Sequence, residues 1–383
     1  MRESEERSVD RWLLGVVMIL VVLGALMVYS ASSFRGAEKY GDPAQFVKNH
    51  LIRVCLGLVL LFVLSRFDYR RYRWITPLLL LMMTMLLVGV LFGPEFQGSR
   101  RSFLVFGKQF QPSEFMKLTM ILYLAAIFAK GERSPSFQSK TLMVHYVIVL
   151  MIIGLIFLEP DLGTSLVLFF LAMTMFYLAG LHWKQLAKMG LFLMPLISLG
   201  LLLFPYQRQR VADYLGSVTG SEPMSHQVKQ SIIGLANGGL TGVGYASGRQ
   251  KLFFLPEPFS DFILASLGEE MGFIGVALVF GLLLFLLWRG IRIARHAPDR
   301  YGMLLAGGIT AMILINALMH AGVVVNLLPT TGLPFPFLSY GGSSLLVQLA
   351  GVGILMNISR KTVVSYRRFT MERGRLARWQ EED

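Results

Sequence analysis

A single cysteine, Cys55, in 383 residues rules out a disulfide framework and any thiolate metal site. The six histidines show no ligand spacing, so no imidazole metal cage is expected either. Charged side chains are scarce at 15%, and no internal repeat recurs at a fixed period. What fills the chain instead is apolar, 54% of all residues, with 28 Phe and 21 Met. Runs of about 18 apolar residues or more recur along its length, each long enough to cross a hydrocarbon core. They predict an all-α integral membrane protein, one domain over 1–383. Its ten transmembrane helices lie near 12–33, 47–66, 74–93, 112–130, 142–158, 161–180, 185–205, 260–288, 302–325 and 341–359. The longest connection, 206–259 between the seventh and eighth spans, is expected to be a large extracytoplasmic loop.

The net charge of +13 does not point to nucleic acid, because of where it sits. Basic residues cluster in alternate connections: Arg66, Arg70, Arg71 and Arg73; Lys130, Arg133 and Lys140; Lys184 and Lys188; Arg289, Arg292, Arg295 and Arg300. The tail 360–383 is basic as well. By the positive-inside rule these loops, the segment 1–11 and the tail are cytoplasmic. The first apolar run ends in Tyr29-Ser-Ala-Ser-Ser33, which mimics a signal-peptidase site. Its length and the acids Glu3, Glu5, Glu6 and Asp10 before it favour an uncleaved anchor.

Against this apolar background four polar groups stand out, all near the outer ends of spans. The first is Gly98-Ser-Arg-Arg101 followed by Gln111-Pro-Ser-Glu-Phe-Met-Lys117. Glu114 and Lys117 share a helix face and either neutralise each other or meet a substrate. Arg100 and Arg101 sit in an external loop where orientation rules disfavour cations, so they read as anion ligands. The second group, Glu159-Pro-Asp-Leu-Gly-Thr164, opens span six; Asp161 is a helix cap or, on the other reading, a base or cation ligand.

The third group is the loop 206–259, carrying Arg208, Arg210, His226, Lys229, Gln230, Arg249 and Lys251, with the segment Leu255-Pro-Glu-Pro-Phe-Ser-Asp261 that ends it. Asp261 stands at the mouth of a long apolar helix, with Glu269 and Glu270 about two turns inside it. At about 100° per residue, Ala265, Gly268, Gly272 and Gly275 share its face, a stripe that another helix or a flat lipid chain could approach closely. Asp261 or Ser260 is either a helix N-cap or part of a working site. The fourth group is Leu328-Pro-Thr-Thr-Gly-Leu-Pro-Phe-Pro336 running into Ser339-Tyr-Gly-Gly-Ser-Ser344, too rich in Pro and Gly for regular helix and tolerated at membrane depth only beside protein or water. Charge inside the spans is read at Glu114, Lys117, Glu269 and Glu270.

One prominent acid among several cations, beside an apolar bundle open to lipid, suits a substrate with a lipid tail and an anionic head such as a polyprenyl diphosphate. Asp261 would take a proton from an attacking hydroxyl. A transporter is the competing class, but it usually carries polar groups near the midplane in repeated halves, and no repeat is visible here.

These strings, in this order, resemble the SEDS family (shape, elongation, division and sporulation) of bacterial cell-wall glycosyltransferases. Val28-Tyr-Ser-Ala-Ser32, Gln230-Ser231, Gly238-Gly239 and Glu269-Glu-Met-Gly272 belong to the same set, and the match runs over nearly the whole chain. The resemblance implies ten spans and a peptidoglycan glycosyltransferase that polymerises lipid II on the outer face of the inner membrane, with undecaprenyl diphosphate leaving. Asp261 is by the same comparison the catalytic base. Glu114, Lys117 and Asp161 are functionally important positions; Arg100, Arg101, Arg210, Lys229, Gln230 and Ser343 are candidate substrate contacts. A class B penicillin-binding protein and other divisome proteins are the implied partners. No cofactor is required by the sequence, and a divalent cation, Mg or Mn, is an option without a visible cage. Ser102-Phe103, Ser260 and His226 depart from the family's usual residues. The Thr330-Thr-Gly-Leu-Pro-Phe-Pro336 string looks most like the division-type branch, with elongation and sporulation roles and a lipid II flippase as alternatives.

Overall fold

The computed structural model describes residues 10–381 apart from 94–99, 106–107, 131–139, 222, 253 and all of 193–203 but 195, 198 and 202. Helix α1, Arg11–Tyr40, starts where the Asp10 carboxylate accepts the Leu13 amide at 3.1 Å and stops at Gly41 in the left-handed region. Helices α2, Gln45–Arg66, and α3, Tyr72–Leu91, follow, and a short hairpin of Phe103–Val105 (β1) and Lys108–Phe110 (β2) leads into α4, Pro112–Lys130. This hairpin is a small departure from the all-α expectation. Next come α5, Lys140–Leu158, α6, Leu162–Ala179, and α7, Trp183–Leu191. The outer stretch holds α8, Pro205–Thr219, and α9, His226–Gly238; the long helices α10, Ile263–Arg295, α11, Arg300–Val324, and α12, Gly342–Glu381, complete the chain.

Among the described residues seven helices are long and apolar enough to cross a membrane, and two shorter apolar ones, Leu142–Leu158 and Leu162–Leu178, match the fifth and sixth expected spans. The protein is therefore a multi-pass membrane protein. The expected seventh span begins as α7, and most of its remainder lies outside the described residues. Helices α4, α11 and α12 are the most enclosed, while α2 and α3 turn most of their surface outward. The basic tail is not a separate segment, because α12 continues through it.

The basic turns lie at one end of the bundle and tie it together there. Asp299 caps α11 through the Gly302 amide at 2.8 Å and accepts from Tyr69 at 2.7 Å and Arg70 at 2.9 Å. Arg289 reaches back to Asp10 with contacts of 2.5 and 3.0 Å, joining the end of α10 to the start of α1.

The stretch 206–259 is less of a free loop than expected. Helix α9 runs inward beside α10, which is broken at Gly272 with φ +65°, and residues 239–251 run back outward along it. Backbone groups freed by that break are taken by the returning segment: Val243 N–H donates to Glu269 O, Gly244 N–H to Glu270 O, and Phe273 and Ile274 donate to Gly239 O and Leu240 O, all within 2.9–3.1 Å. Tyr245 donates its hydroxyl to Leu26 O, midway along α1, at 2.9 Å.

The small-residue stripe of α10 turns out to receive a helix. Leu235 of α9 covers Gly268, and a side chain at Gly238 would collide with the Gly268 carbonyl. Close backbone approach is what small residues permit. The lipid-chain reading of this stripe is thereby corrected: α9 and the 239–242 turn already occupy it.

Candidate functional site

The segment before α10 is held by its own turns and by the Pro/Gly-rich connection. Ser260 and Asp261 amides donate to Glu257 O at 3.2 and 3.1 Å, around a Glu257 with φ +49°. The Tyr340 amide donates to Phe259 O at 2.9 Å, and the Ser339 hydroxyl donates to Ser260 O at 2.7 Å while accepting the Phe335 amide at 2.8 Å. The broken sequence 328–341 thus forms a clamp whose polar backbone is satisfied within protein.

Helix α10 takes Phe262 as its N-cap and has no side-chain cap at all, so neither Ser260 nor Asp261 serves in that role. The Asp261 carboxylate accepts one hydrogen bond, from the Ser260 hydroxyl at 3.0 Å on Oδ1. Its Oδ2 lies 3.1 Å from where a Cβ on Gly332 would stand, on the wall of a cavity of about 730 Å³. Burial raises its pKa above the ordinary aspartate value; the Ser260 hydrogen bond and the charges of Arg101 and Arg210 oppose that rise, and Asp161 adds to it.

Asp161, on the same cavity, is by contrast filled. It caps α6 through the Thr164 amide at 2.9 Å, and its Oδ2 accepts from the Thr164 hydroxyl and from Gln111 Nε2, each at 2.9 Å. Gln111 also donates its amide to Ser343 Oγ at 3.0 Å, which joins α4, α6 and α12 at one corner. Asp161 is therefore a cap that also orders the cavity floor.

Glu114 and Lys117 form a buried pair at 2.7 Å, and Lys117 donates further to Asn316 Oδ1 at 3.2 Å. Glu114 reaches the cavity lining; Lys117 stays behind it. Arg101 lines the cavity, whereas Arg100 is exposed outside it. Arg210 donates to Thr330 O at 2.9 Å, bracing the clamp. Lys229 is exposed and Gln230 contacts His226 at 3.5 Å; neither lines the cavity. Gly98 and Ser99 of the arginine motif lie outside the described residues.

Three features escape a sequence reading. Arg35 and Lys39 line the cavity because α1 continues to Tyr40, beyond the end of its apolar run, and Arg35 pairs with Glu257 at 3.3 Å. Arg53 lines it from inside α2, which corrects the account of charge within the spans: a lone arginine amid apolar residues was the available signal. Glu159 is fully buried with neither carboxylate oxygen bonded. Burial, then the Asp161 charge, push its pKa up to about 9 against the pull of Arg101, so it is a neutral acid at pH 7. Among the described residues no group of three or more His, Cys, Asp or Glu side chains is placed to hold a metal ion.

Comparison with known proteins finds relatives over nearly the whole chain. Stage V sporulation protein E of Bacillus subtilis (strain 168) is 39% identical over 361 residues, covering 93% of this chain and 98% of the relative. A probable peptidoglycan glycosyltransferase FtsW of Trichlorobacter lovleyi is 38% identical over 355 residues, 91% of this chain and 93% of its own. Among solved structures, a chain described under "Structural coordination of polymerization and crosslinking by a peptidoglycan synthase complex" superposes with TM-score 0.76 at 29% identity, covering 93% of this chain and 98% of that one. The rod shape determining protein RodA of Thermus thermophilus superposes with TM-score 0.68 at 28% identity over the same shares. Residues 10–363 match the cell cycle protein family that groups FtsW, RodA and SpoVE, and the chain belongs to it.

Proposed function

We propose that this chain polymerises lipid II into glycan strands by inverting transfer, with Asp261 as the general base. Relatives named probable peptidoglycan glycosyltransferase FtsW align with it nearly end to end, and the chain is a peptidoglycan glycosyltransferase of cell division. The observation that carries the assignment of the base is the state of its carboxylate: one hydroxyl neighbour, no capping duty, and an oxygen on the cavity wall. An acceptor hydroxyl hydrogen-bonded there would lose its proton as it attacks the anomeric carbon, and undecaprenyl diphosphate would leave.

The reading includes ten spans in the bacterial inner membrane, both termini cytoplasmic and the cavity facing outward, supported by the basic turns gathered at the opposite end from Asp261. It includes a class B penicillin-binding protein as partner, in line with the crosslinking complex to which the fold is similar. Cavity arginines neutralise the diphosphate in this scheme; whether Mg or Mn contributes is read from activity before and after chelation. The similarity to a sporulation protein at 39% identity favours a second role for the same chemistry, in spore wall synthesis.

The test is polymerisation of labelled lipid II by the purified chain with its partner, the transpeptidase being inactivated. Wild type yields long glycan and Asp261→Asn yields none. Equal polymer from Asp261→Asn would overturn the base assignment. Lipid II crossing vesicle membranes without polymer formation would replace the polymerase by a flippase.

A further inference from the structure

Joining two lipid-linked sugars sets a geometric demand on the cavity. In an inverting displacement the attacking hydroxyl and the departing oxygen lie on opposite sides of the anomeric carbon. The base and the cation that receives the leaving diphosphate are therefore separate groups. Arg101 and Arg210 are charged neighbours of Asp261 itself. A further cation, Arg53, enters the same cavity from α2.

Three observations mark Arg53 as more than a snorkelling side chain. Its guanidinium lies over the Tyr340 ring at 4.4 Å, and Tyr340 is itself fixed by its amide bond to Phe259 O and by ring contacts with Phe46 and Phe259 at 5.7 and 5.5 Å. Stacking occupies the flat face of the guanidinium and leaves its N–H edge for the cavity. No ion pair among the described residues includes Arg53, whereas Arg35 pairs with Glu257 and Lys48 with Asp42. Arg53 also stands 3.3 Å from where a Gly342 side chain would start, at the first turn of α12, so it faces the positive end of a helix dipole. One turn before it on α2, His50 is fully buried against the same Tyr340 with neither ring nitrogen bonded. A guanidinium and a helix N-terminus brought together repel until an anion joins them, and the unpartnered imidazole beside them offers a further hydrogen bond.

We propose that Arg53, positioned by Tyr340, binds the donor's diphosphate and stabilises the charge that builds on it as it leaves. The inference rests on the polymerase reading and names which residue receives the leaving group. The acceptor hydroxyl proton passes to the Asp261 carboxylate and the acceptor oxygen bonds the anomeric carbon. The bond from that carbon to the diphosphate breaks with its electron pair on undecaprenyl diphosphate, which gains one negative charge beside the guanidinium.

The experiment uses the full chain with its class B partner in nanodiscs, comparing wild type, Arg53→Gln and Arg53→Lys. Arg53→Gln is expected to lower kcat about 100-fold while KM moves less than about threefold, the signature of an interaction made in the transition state. Added undecaprenyl diphosphate, the released product, should inhibit Arg53→Gln at least about 10-fold less well than wild type. Arg53→Lys, keeping the charge but losing the fork and stack, should recover part of both. Thermal melts and gel filtration check that each variant is folded. An unchanged kcat in Arg53→Gln, or lost activity with product inhibition intact, overturns the proposal and leaves Arg53 a packing residue. No polymer from wild type would instead sink the polymerase reading, while polymer at equal rates from wild type and Arg53→Gln but none from Asp261→Asn sinks this inference alone.

Discussion

Two sets of carboxylates stand eight residues apart along the same chain segment and live opposite lives. Glu269 accepts the Arg249 amide at 2.8 Å and the Gln250 amide at 3.1 Å; Glu270 accepts from the Ala246 amide at 3.0 Å, from Ser30 at 2.6 Å and from Lys251 at 2.6 Å. All four carboxylate oxygens there are engaged in holding the 239–251 segment and α1 against α10. Asp261 has one hydroxyl neighbour and a cavity. The lesson concerns how an acid in a membrane protein is read. Cost is common to both sets, so what separates a fastener from a reagent is whether any acceptor capacity is left over.

The sharpest way to break that contrast is to neutralise each acid in turn. Asp261→Asn should reduce polymerisation by about 10³-fold or more with the fold intact, whereas Glu269→Gln, which loses charge-assisted bonds, should lower thermal stability well before it lowers kcat. The wild-type rate should also fall as pH drops through the Asp261 pKa, because only the carboxylate accepts a proton; burial places that fall above the ordinary aspartate range. A pH–rate profile with its acid limb at an unshifted aspartate value would contradict the environment described.

Next in size is Lys251→Met, which strands the buried Glu270 charge. It should cost about 3–5 kcal/mol, read as a lower melting temperature, and the double change with Glu270→Leu should recover part of the loss. Stability unaffected by Lys251→Met would mean the strand is held by its backbone bonds alone.

Smaller effects come from the walls of the site. Gly332 has φ +66°, and a Cβ there would press on Asp261 Oδ2 at 3.1 Å, so Gly332→Ala should lower kcat several-fold and cost about 1–3 kcal/mol of backbone strain. Wild-type rates in that variant would argue that the carboxylate has room to move. The least change is expected from Glu159→Gln at pH 7, because Glu159 is already neutral. The folded state holds this proton more tightly than the unfolded chain, so wild type should lose stability as pH rises from about 4.5 towards about 9, and the glutamine variant should lack that component. Melting curves across that range decide it.

Much of this was legible in the sequence, for physical reasons that can be named. Apolar runs report spans because length and hydropathy are local properties, and the helices follow the expected runs where residues are described. Asp261, Asp161, Glu114, Arg101 and Ser343 were found because polar side chains interrupt those runs at the same end, and they do line one cavity. Arg53 was hidden by the same averaging, since a window of apolar neighbours absorbs a single charge. The return of 239–251 along α10 was hidden for another reason. Its Gly-rich turn looks like a solvent loop until the carbonyls of Glu269 and Glu270 are beside it, and that pairing is tertiary. Lys229 and Gln230 were chosen for polarity on α9, and polarity alone does not say which way a helix faces.

The middle of α1 carries a consequence for how substitutions in this chain are weighed. Gly24 lies in an uninterrupted apolar run where hydropathy would accept alanine without comment. A methyl group there would stand 2.4 Å from the Phe337 carbonyl and 2.8 Å from the Leu338 Cα, the backbone that leads into the clamp over Asp261. A genetic screen would thus recover loss of function from a change that alters neither charge nor polarity and raises helix propensity, far from any reacting group in the chain, and reversion would be sought in the 335–339 backbone rather than in the helix that carries the lesion.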